Sequence, residues 1–330
     1  MRYSLIQSKY RCHCGSGIYL GHRFYPQPFF LLQLAGKLRG EGHSVKLFDL
    51  FRNESNGYEE ENVDAIVIGT GEYSADAQFQ THWMFSFSEH QIERYYSGAQ
   101  AWLNRQSLPK SIKIIEPWEV LKSTPAWDLI DFTQYPKPEG RLRAVIRITI
   151  GCPNRCSFCP VPVVYSNRYF GIDIDWALTQ LDYLYNERKI REFSVIDDNL
   201  LVDMKKSKEL LNYMISKYPE AHFFLQEGIE VRQALDLELC KLLEQARFYN
   251  IRIGIETLNE AVLKKVNKPK YTADEAVQAV RNLQSVGFRD SVVFMMQGLS
   301  GNTSEQELRD VEIFNKLNVK VRNHKLISYQ

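Results

Sequence analysis

The sequence predicts an α/β protein in two parts: a series of six strand–helix units closing toward a barrel, preceded by a small doubly wound α/β layout. Three observations carry this. From Ala144 onward, β-branched runs alternate with segments whose apolar residues recur at helical spacing. Strands separated each time by a helix pair in parallel, because a parallel crossover needs a connection of that length, and a right-handed series of such units curls toward a barrel. Polar residues gather where the strands end, at Asp197-Asp198, Gln226, Glu256 and Gln297, the rim at which parallel α/β folds collect their chemistry.

In the front part, residues 1–116, Arg2 to Gln7 reads as a strand. Pro28 to Arg39 reads as a helix, with proline in its first turn and Gly40 and Gly42 after it. Ser44 to Leu50 and Val63 to Gly69 are strands, His90 to Asn104 a helix, and Ile112 to Ile115 a short strand. That order is a doubly wound layout. The proline-bearing stretch Pro117 to Arg141 reads as a linker.

The barrel occupies residues 142–330. Ala144 to Ile150 is its first strand, and Trp176 to Asn186 a helix. Glu192 to Ile196 is the second strand, and Ser207 to Tyr218 a helix stopped at Pro219. His222 to Gln226, Ile251 to Ile255, Ser291 to Met296 and Lys320 to Ser328 are the remaining strands. Between them lie helices over Leu237 to Ala246, Thr272 to Val286 and Ser304 to Leu317. Thr272-Ala273-Asp274-Glu275 is a capping-box pattern at the start of its helix.

Composition sets bounds. At 330 residues, 44% hydrophobic and 25% charged, the chain has the make-up of an ordinary soluble protein. No apolar stretch approaches the length of a membrane span. A net charge of +1 gives no bulk attraction to nucleic acid and leaves a local basic groove open. Nothing resembles a signal peptide, so the cysteines are expected as free thiols in a reducing cytoplasm.

Cys152, Cys156 and Cys159 stand in the run Gly151-Cys152-Pro153-Asn154-Arg155-Cys156-Ser157-Phe158-Cys159-Pro160, directly after the first barrel strand. Three thiolates on one short loop hold three irons of a four-iron cluster and leave the fourth iron open. A zinc site wants a fourth Cys or His, and the next histidine downstream is His222. A disulfide does not fit the cytosolic character. Cys12, His13 and Cys14 lie too close in sequence to face one tetrahedral ion together and read as a loop with incidental thiols. Cys240 falls in an apolar helix pattern and reads as a core residue.

The cysteine spacing, with Phe158 before the last cysteine, resembles the radical S-adenosylmethionine (SAM) superfamily. Residues 141–330 carry further likeness to its cobalamin-dependent and methylthio-transferring members. The matching stretches are Ile196-Asp197-Asp198-Asn199-Leu200, Gly254-Ile255-Glu256-Thr257-Leu258-Asn259, Leu263 to Lys268, and Gly298-Leu299-Ser300-Gly301-Asn302-Thr303. Ser300 and Asn302 depart from the family's Gly-Leu-Pro-Gly-Glu-Thr pattern. Pro26 to Asp49 and Pro125 to Asp131 are similar to the cobalamin-binding domain and connection that precede many of these barrels, without the Asp-x-His-x-x-Gly stretch that supplies a cobalt ligand.

The resemblance implies a partial six-stranded barrel, a [4Fe-4S] cluster on Cys152, Cys156 and Cys159, and reductive cleavage of SAM to a 5′-deoxyadenosyl radical. It implies an external one-electron reductant of the flavodoxin or ferredoxin type. With cobalamin held in the front part, the expected outcome is C-methylation of a substrate the sequence does not identify. Without it, the outcome is an oxidation, rearrangement or cyclisation.

For SAM, Asp198 with Asp197 is the candidate partner of the ammonium, the other reading being a helix N-cap. Gln226 and Glu256 are candidates for the methionine carboxylate surroundings and the ribose. Phe158 is expected to wall the adenine, and Gly254 and Gly298 to let the backbone approach the nucleoside. Gly69 and Gly71 are expected to approach a corrin. The competing readings are a methylthiotransferase, which wants three more front-part cysteines where only Cys12 and Cys14 stand, and a non-enzymatic iron–sulfur protein.

Overall fold

The computed structural model describes residues 1–7, 10–14, 17–19, 27–50, 52, 63–69, 77–79, 92–106, 108–135 and 137–326. The chain divides into two compact units, Met1–Leu142 and Arg143–Gln330. Among the described residues no helix is long and apolar enough to cross a membrane.

The first unit is built on five parallel strands in the spatial order Ser44–Asp49, Arg2–Gln7, Ala65–Gly69, Glu93–Ser97 and Lys113–Ile114. Arg2–Gln7 and Ala65–Gly69 are buried almost throughout, as central parallel strands covered on both faces must be. The helix Phe29–Gly40 buries Phe29 to Ala35 and Leu38. Its aromatic rings meet two tryptophans, Phe30 edge-on to Trp102 at 5.4 Å and Phe29 against Trp127 at 5.7 Å.

The helix read over His90 to Asn104 is corrected over its described residues, His90 and Gln91 lying outside them. Glu93–Ser97 is a strand paired with Ala65–Gly69, Gly98 turns the chain at φ 98°, and among the described residues of this stretch only Ala99–Leu103 is α-helical. Tyr95 and Tyr96 favour extended backbone, and the open sheet edge beside Ala65–Gly69 decides the outcome.

The segment 117–141 packs as part of this unit through a series of short 3₁₀ turns. Trp127 and Phe132 are buried, the Ala126 N–H donates to the Leu32 carbonyl at 2.9 Å, and Asp128 pairs with Arg39 at 2.8 Å. Helix and segment touch so closely that a Cβ on Gly36 would lie 1.8 Å from the Thr124 carbonyl oxygen. Gly36→Ala is therefore expected to lower stability by about 3 kcal/mol, the upper range of overpacking costs, read from the urea midpoint. An unchanged midpoint would mean that the two surfaces separate freely.

The second unit carries six successive parallel segments in two sheets. One has the order Arg143–Ile146, Glu192–Val195, His222–Leu225, Phe248–Tyr249. The other has the order Ile229–Glu230, Arg252–Glu256, Val292–Gln297, Lys320–Lys325. The third and fourth segments each serve both sheets, because each bends through a left-handed residue, Gly228 at φ 81° and Asn250 at φ 50°. Strand order thus follows chain order, the arrangement that parallel strands with helical crossovers impose. Phe193, Phe223 and Phe248 stack in succession across the first sheet at 5.2 and 5.3 Å.

Two sequence expectations are altered here. The strand read over Ala144 to Ile150 is broken: after Ile146 the amides of Ile148 and Thr149 donate to the Asp197 carboxylate, and Ile150–Gly151 pairs antiparallel with Tyr169–Phe170. The helix read over Trp176 to Asn186 is α-helical over Ile174–Asp182 and continues as a π turn over Tyr183–Glu187. The capping box forms as expected, with Thr272 Oγ1 accepting from Glu275 N at 3.1 Å and Glu275 Oε2 accepting from Thr272 N at 2.7 Å.

Candidate functional site

The three cysteines sit on the loop that follows Ile150–Gly151, all half-buried. That loop is anchored at its start and in its middle. Gly151 adopts φ 76° and approaches the Arg168 carbonyl so closely that a Cβ would lie 2.3 Å from its oxygen, a conformation and contact reserved to glycine. On either side of Cys156, in the middle of the loop, Asn267 Nδ2 donates to Arg155 O at 3.0 Å and the Ser157 N–H donates to Val266 O at 2.9 Å.

Burial pushes the Cys152 thiol up, the Cys156 thiol up to about 11 and the Cys159 thiol up to about 12. Cys152 and Cys156 both act on Cys159, and Cys152 acts on Cys156, so the three sulfurs form one electrostatic group. Among the described residues no three His, Cys, Asp or Glu converge on a single-ion position. Three thiols on one loop that act on one another by their charge suit a polynuclear cluster, whose irons each take one sulfur. Coordination supplies the driving force for deprotonation that burial withholds.

Around the loop stand the ends of the neighbouring strands. Asp197 is fully buried, accepts from Ile148 N at 3.0 Å and from Thr149 Oγ1 at 2.7 Å, and is pushed by burial up to about 6. It is committed to the bend of the first strand. Asp198 accepts from the Gly151 N–H at 3.1 Å, and burial raises it against the pull of Arg147. The helix that follows is capped by Asp203, which accepts from Lys206 N at 3.1 Å, so the N-cap reading of Asp198 lapses.

Asn199 donates through Nδ2 to Cys152 Sγ at 3.5 Å and to Glu230 Oε1. Glu230 Oε1 also accepts from Asn154 Nδ2, on the cysteine loop itself.

The fourth strand ends at Glu256, which adopts φ 67° beside a register shift in the pairing with Val292–Gln297. A non-glycine residue held in this region marks a backbone kept there by its surroundings. Tyr271 Oη donates to the Ile255 carbonyl, and Asp310 accepts from Thr257 Oγ1 at 3.0 Å and Leu258 N at 2.8 Å, fixing both sides of Glu256. The Glu256 carboxylate pairs with Lys268 Nζ at 3.0 Å, both side chains about one-tenth exposed. Burial opposes the charge on Lys268, yet Glu256 holds its pKa above the usual lysine value. Lys268 also lies 5.9 Å from the Phe158 ring centroid and lowers Cys156 by its charge.

The other expected site residues fall as follows. Phe158 and Met296 pack against Val262, Val266 and Leu299. The space beside Gly254 is taken by this chain: a Cβ there would meet Glu256 Oε1 at 2.8 Å and Lys268 Nζ at 3.3 Å. Gln226 is half-buried at the end of the third strand, its carbonyl accepting from Arg252 Nη1 at 2.8 Å. Gly298 is exposed at φ 84° and donates its N–H to Glu307 Oε1 at 2.8 Å. It borders a cavity of about 570 Å³ between Gln297, Glu307, Asn323 and Leu326.

Gly69 ends a strand of the first unit, where a Cβ would meet Leu31 Cδ1 at 2.8 Å and Gln7 Oε1 at 3.3 Å. Gly71 lies outside the described residues. Cys12 and Cys14 belong to the strand Tyr10–Cys14 of a small antiparallel sheet. Cys152, Cys156, Phe158, Glu256 and Lys268 are linked by the contacts above, and Cys152, Asn154, Asn199 and Glu230 by hydrogen bonds. Glu230 is not among the candidates read from the sequence, and Lys268 stands there only within a matching stretch; Asn154 and Asn199 bring Glu230 to the site and Glu256 brings Lys268, although Glu230 also opens its own helix with Gln233.

A family model described as the radical SAM superfamily matches residues 146–312, half of the chain. The chain is 27% identical over 187 residues to the hopanoid C-2 methylase of Rhodopseudomonas palustris (strain TIE-1), a match covering 54% of this chain and 35% of that protein. Across the three curated relatives that lead the comparison, the match covers between 35% and 41% of their length. Among solved structures, it is similar to the radical S-adenosylmethionine methyltransferase TsrM from Kitasatospora setae, with cobalamin and a [4Fe-4S] cluster bound. That match has a TM-score of 0.74 at 13% identity and covers 98% of this chain and 74% of that one. It is also similar to the cobalamin-dependent S-adenosylmethionine radical enzyme OxsB, with a TM-score of 0.67 at 12% identity, covering 94% of this chain and 51% of that one.

Proposed function

The chain belongs to the radical SAM superfamily, and from that premise we propose that it is a radical SAM enzyme that methylates carbon with the help of cobalamin. The observation that carries the reading is the grouping of Cys152, Cys156 and Cys159 on one anchored loop at the C-terminal ends of parallel strands. We read the six parallel segments of the second unit as the family's partial barrel.

When bound there, a [4Fe-4S] cluster with SAM supplies one-electron cleavage of the sulfonium bond and a 5′-deoxyadenosyl radical. The chain's own residues do the rest. Cys152, Cys156 and Cys159 would hold the irons. Asp198, which does not cap the following helix and is tied to the cysteine loop, would receive the SAM ammonium. Lys268, held by Glu256, would receive its carboxylate. Phe158, packed on Val262, Val266 and Leu299, offers an apolar wall and helps exclude water from a reactive radical.

The cobalamin part rests on the first unit and on the cobalamin held by the similar structures of TsrM and OxsB, and the methylation on the relatives' names. Numbered along the chain, its five parallel strands lie in the order 2-1-3-4-5, which puts the reversal of strand order between Arg2–Gln7 and Ala65–Gly69. Ligands of doubly wound sheets bind outside the strand ends at that reversal.

The test is product analysis. Anaerobic protein given SAM and dithionite is expected to release 5′-deoxyadenosine, and to take up hydroxocobalamin stoichiometrically in equilibrium dialysis. Absence of deoxyadenosine from cluster-replete protein would sink the enzyme reading. Absence of cobalamin uptake would remove the methylation alone.

A further inference from the structure

We propose, resting on the cluster assignment above, that Glu230 and Asn199 form a device that sets the reduction potential of the cluster through Cys152. Glu230 and Asn199 are positioning residues here: they hold the Cys152 sulfur and the loop that carries it.

The hydrogen bonds leave one assignment for the amides. The Glu230 backbone N–H can only donate, and it reaches Gln233 Oε1 at 2.9 Å. Gln233 must therefore present Nε2 on its other side, and Nε2 reaches Asn199 Oδ1 at 2.8 Å. Asn199 must then present Nδ2 toward both Cys152 Sγ, at 3.5 Å, and Glu230 Oε1. One amide nitrogen carries two hydrogens, and two acceptors face it. Glu230 thus begins and ends a closed ring whose one spoke is an N–H aimed at the sulfur. The Asn154 amide, from within the cysteine loop, donates to the same Glu230 oxygen and ties the loop to the ring.

Asn199 is 6% exposed and Gln233 5% exposed, so water does not compete for the ring. Arg232 meets the other Glu230 oxygen at 3.4 Å from the solvent side. Cys156 is served differently, by the Lys268 ammonium.

Reduction adds one electron to the cluster from an external low-potential donor, which is oxidised by that electron. No bond breaks and no proton moves. The reduced cluster carries one more negative charge, so an N–H donor on a ligand sulfur favours it and a nearby carboxylate opposes it. Asn199 and Glu230 therefore pull the potential in opposite directions while each holds the other in place.

The test is a mediated anaerobic redox titration of the reconstituted full chain without SAM, with dithionite as reductant, read by the electron paramagnetic resonance of the reduced cluster. Iron and sulfide are assayed on each sample. Asn199→Ala is expected to lower the reduced-to-oxidised ratio at a fixed ambient potential by about threefold or more, the effect of one lost hydrogen bond. Glu230→Gln keeps a carbonyl acceptor for Asn199 and Asn154 and removes the charge. It is expected to raise the ratio by about threefold or more.

Shifts in the same direction, or no shift in either variant with full iron content, overturn the proposal. If Asn199→Ala fails to keep its iron, Glu230→Gln alone decides, a rise supporting the proposal and no change or a fall overturning it. Wild-type protein that takes up no iron and sulfide overturns the cluster assignment itself, and this proposal with it.

Discussion

Replacing Cys152, Cys156 and Cys159 together by alanine is expected to abolish cluster assembly. Anaerobically reconstituted wild-type protein should carry about four irons and the triple variant close to none, by iron analysis and by loss of the visible charge-transfer absorption. The matched control replaces Cys12, Cys14 and Cys240. Cys240 is fully buried in the helix Leu237–Gln245, donates to the Ala234 carbonyl at 3.4 Å, and is pushed up to about 12 by burial. It is an inert core thiol, and the control is expected to retain its iron. Iron retained at wild-type level without the three loop cysteines would place the cluster elsewhere and end the assignment.

Lys268→Met is expected to cost about 3–5 kcal/mol in stability, because it leaves the Glu256 carboxylate in a buried position without its counter-charge. The Glu256 backbone is fixed on both sides at a φ of 67°, and its carboxylate lies over Gly254, where a Cβ would meet Oε1 at 2.8 Å. The companion variant, Lys268→Met with Glu256→Gln, removes both charges and is expected to recover most of the loss. Thermal or urea midpoints of the cluster-free chain read both. A single variant within about 1 kcal/mol of wild type would show that the pair is solvated, as exposed pairs are. The same single variant in cluster-loaded form is expected to weaken SAM binding if Lys268 receives the carboxylate.

Much of the second unit is legible in the sequence because its signals are local. The run Ile251 to Ile255 carries its own β-branched pattern, Thr272 and Glu275 announce a helix start within one turn, and the cysteine spacing needs no partner to be recognised. What escapes is set by distant residues. The first strand breaks after Ile146 because Asp197, some fifty positions on, takes the amides of Ile148 and Thr149. The stretch around Tyr95 is extended because a sheet edge is waiting for it. Gly254 reads as a place for ligand approach, whereas the Glu256–Lys268 pair occupies that space. The sequence around Glu230 offers a helix start with Gln233 and no more; only folding brings Asn154 and Asn199 to it.

The antiparallel pairing of Ile150–Gly151 with Tyr169–Phe170 bears on the order of events in biogenesis. In a chain without it, three thiols on a free loop must be gathered by the metal, and the entropy of closing that loop is charged against binding. Here protein–protein hydrogen bonds join the two strand ends, and Ser157 and Asn267 pin the middle, so less of that freedom is left for the metal to remove. Removal of iron and sulfide is therefore expected to leave the secondary structure and hydrogen-exchange protection of this unit in place, and their loss with the metal would show that the cluster gathers the loop as zinc does in zinc fingers.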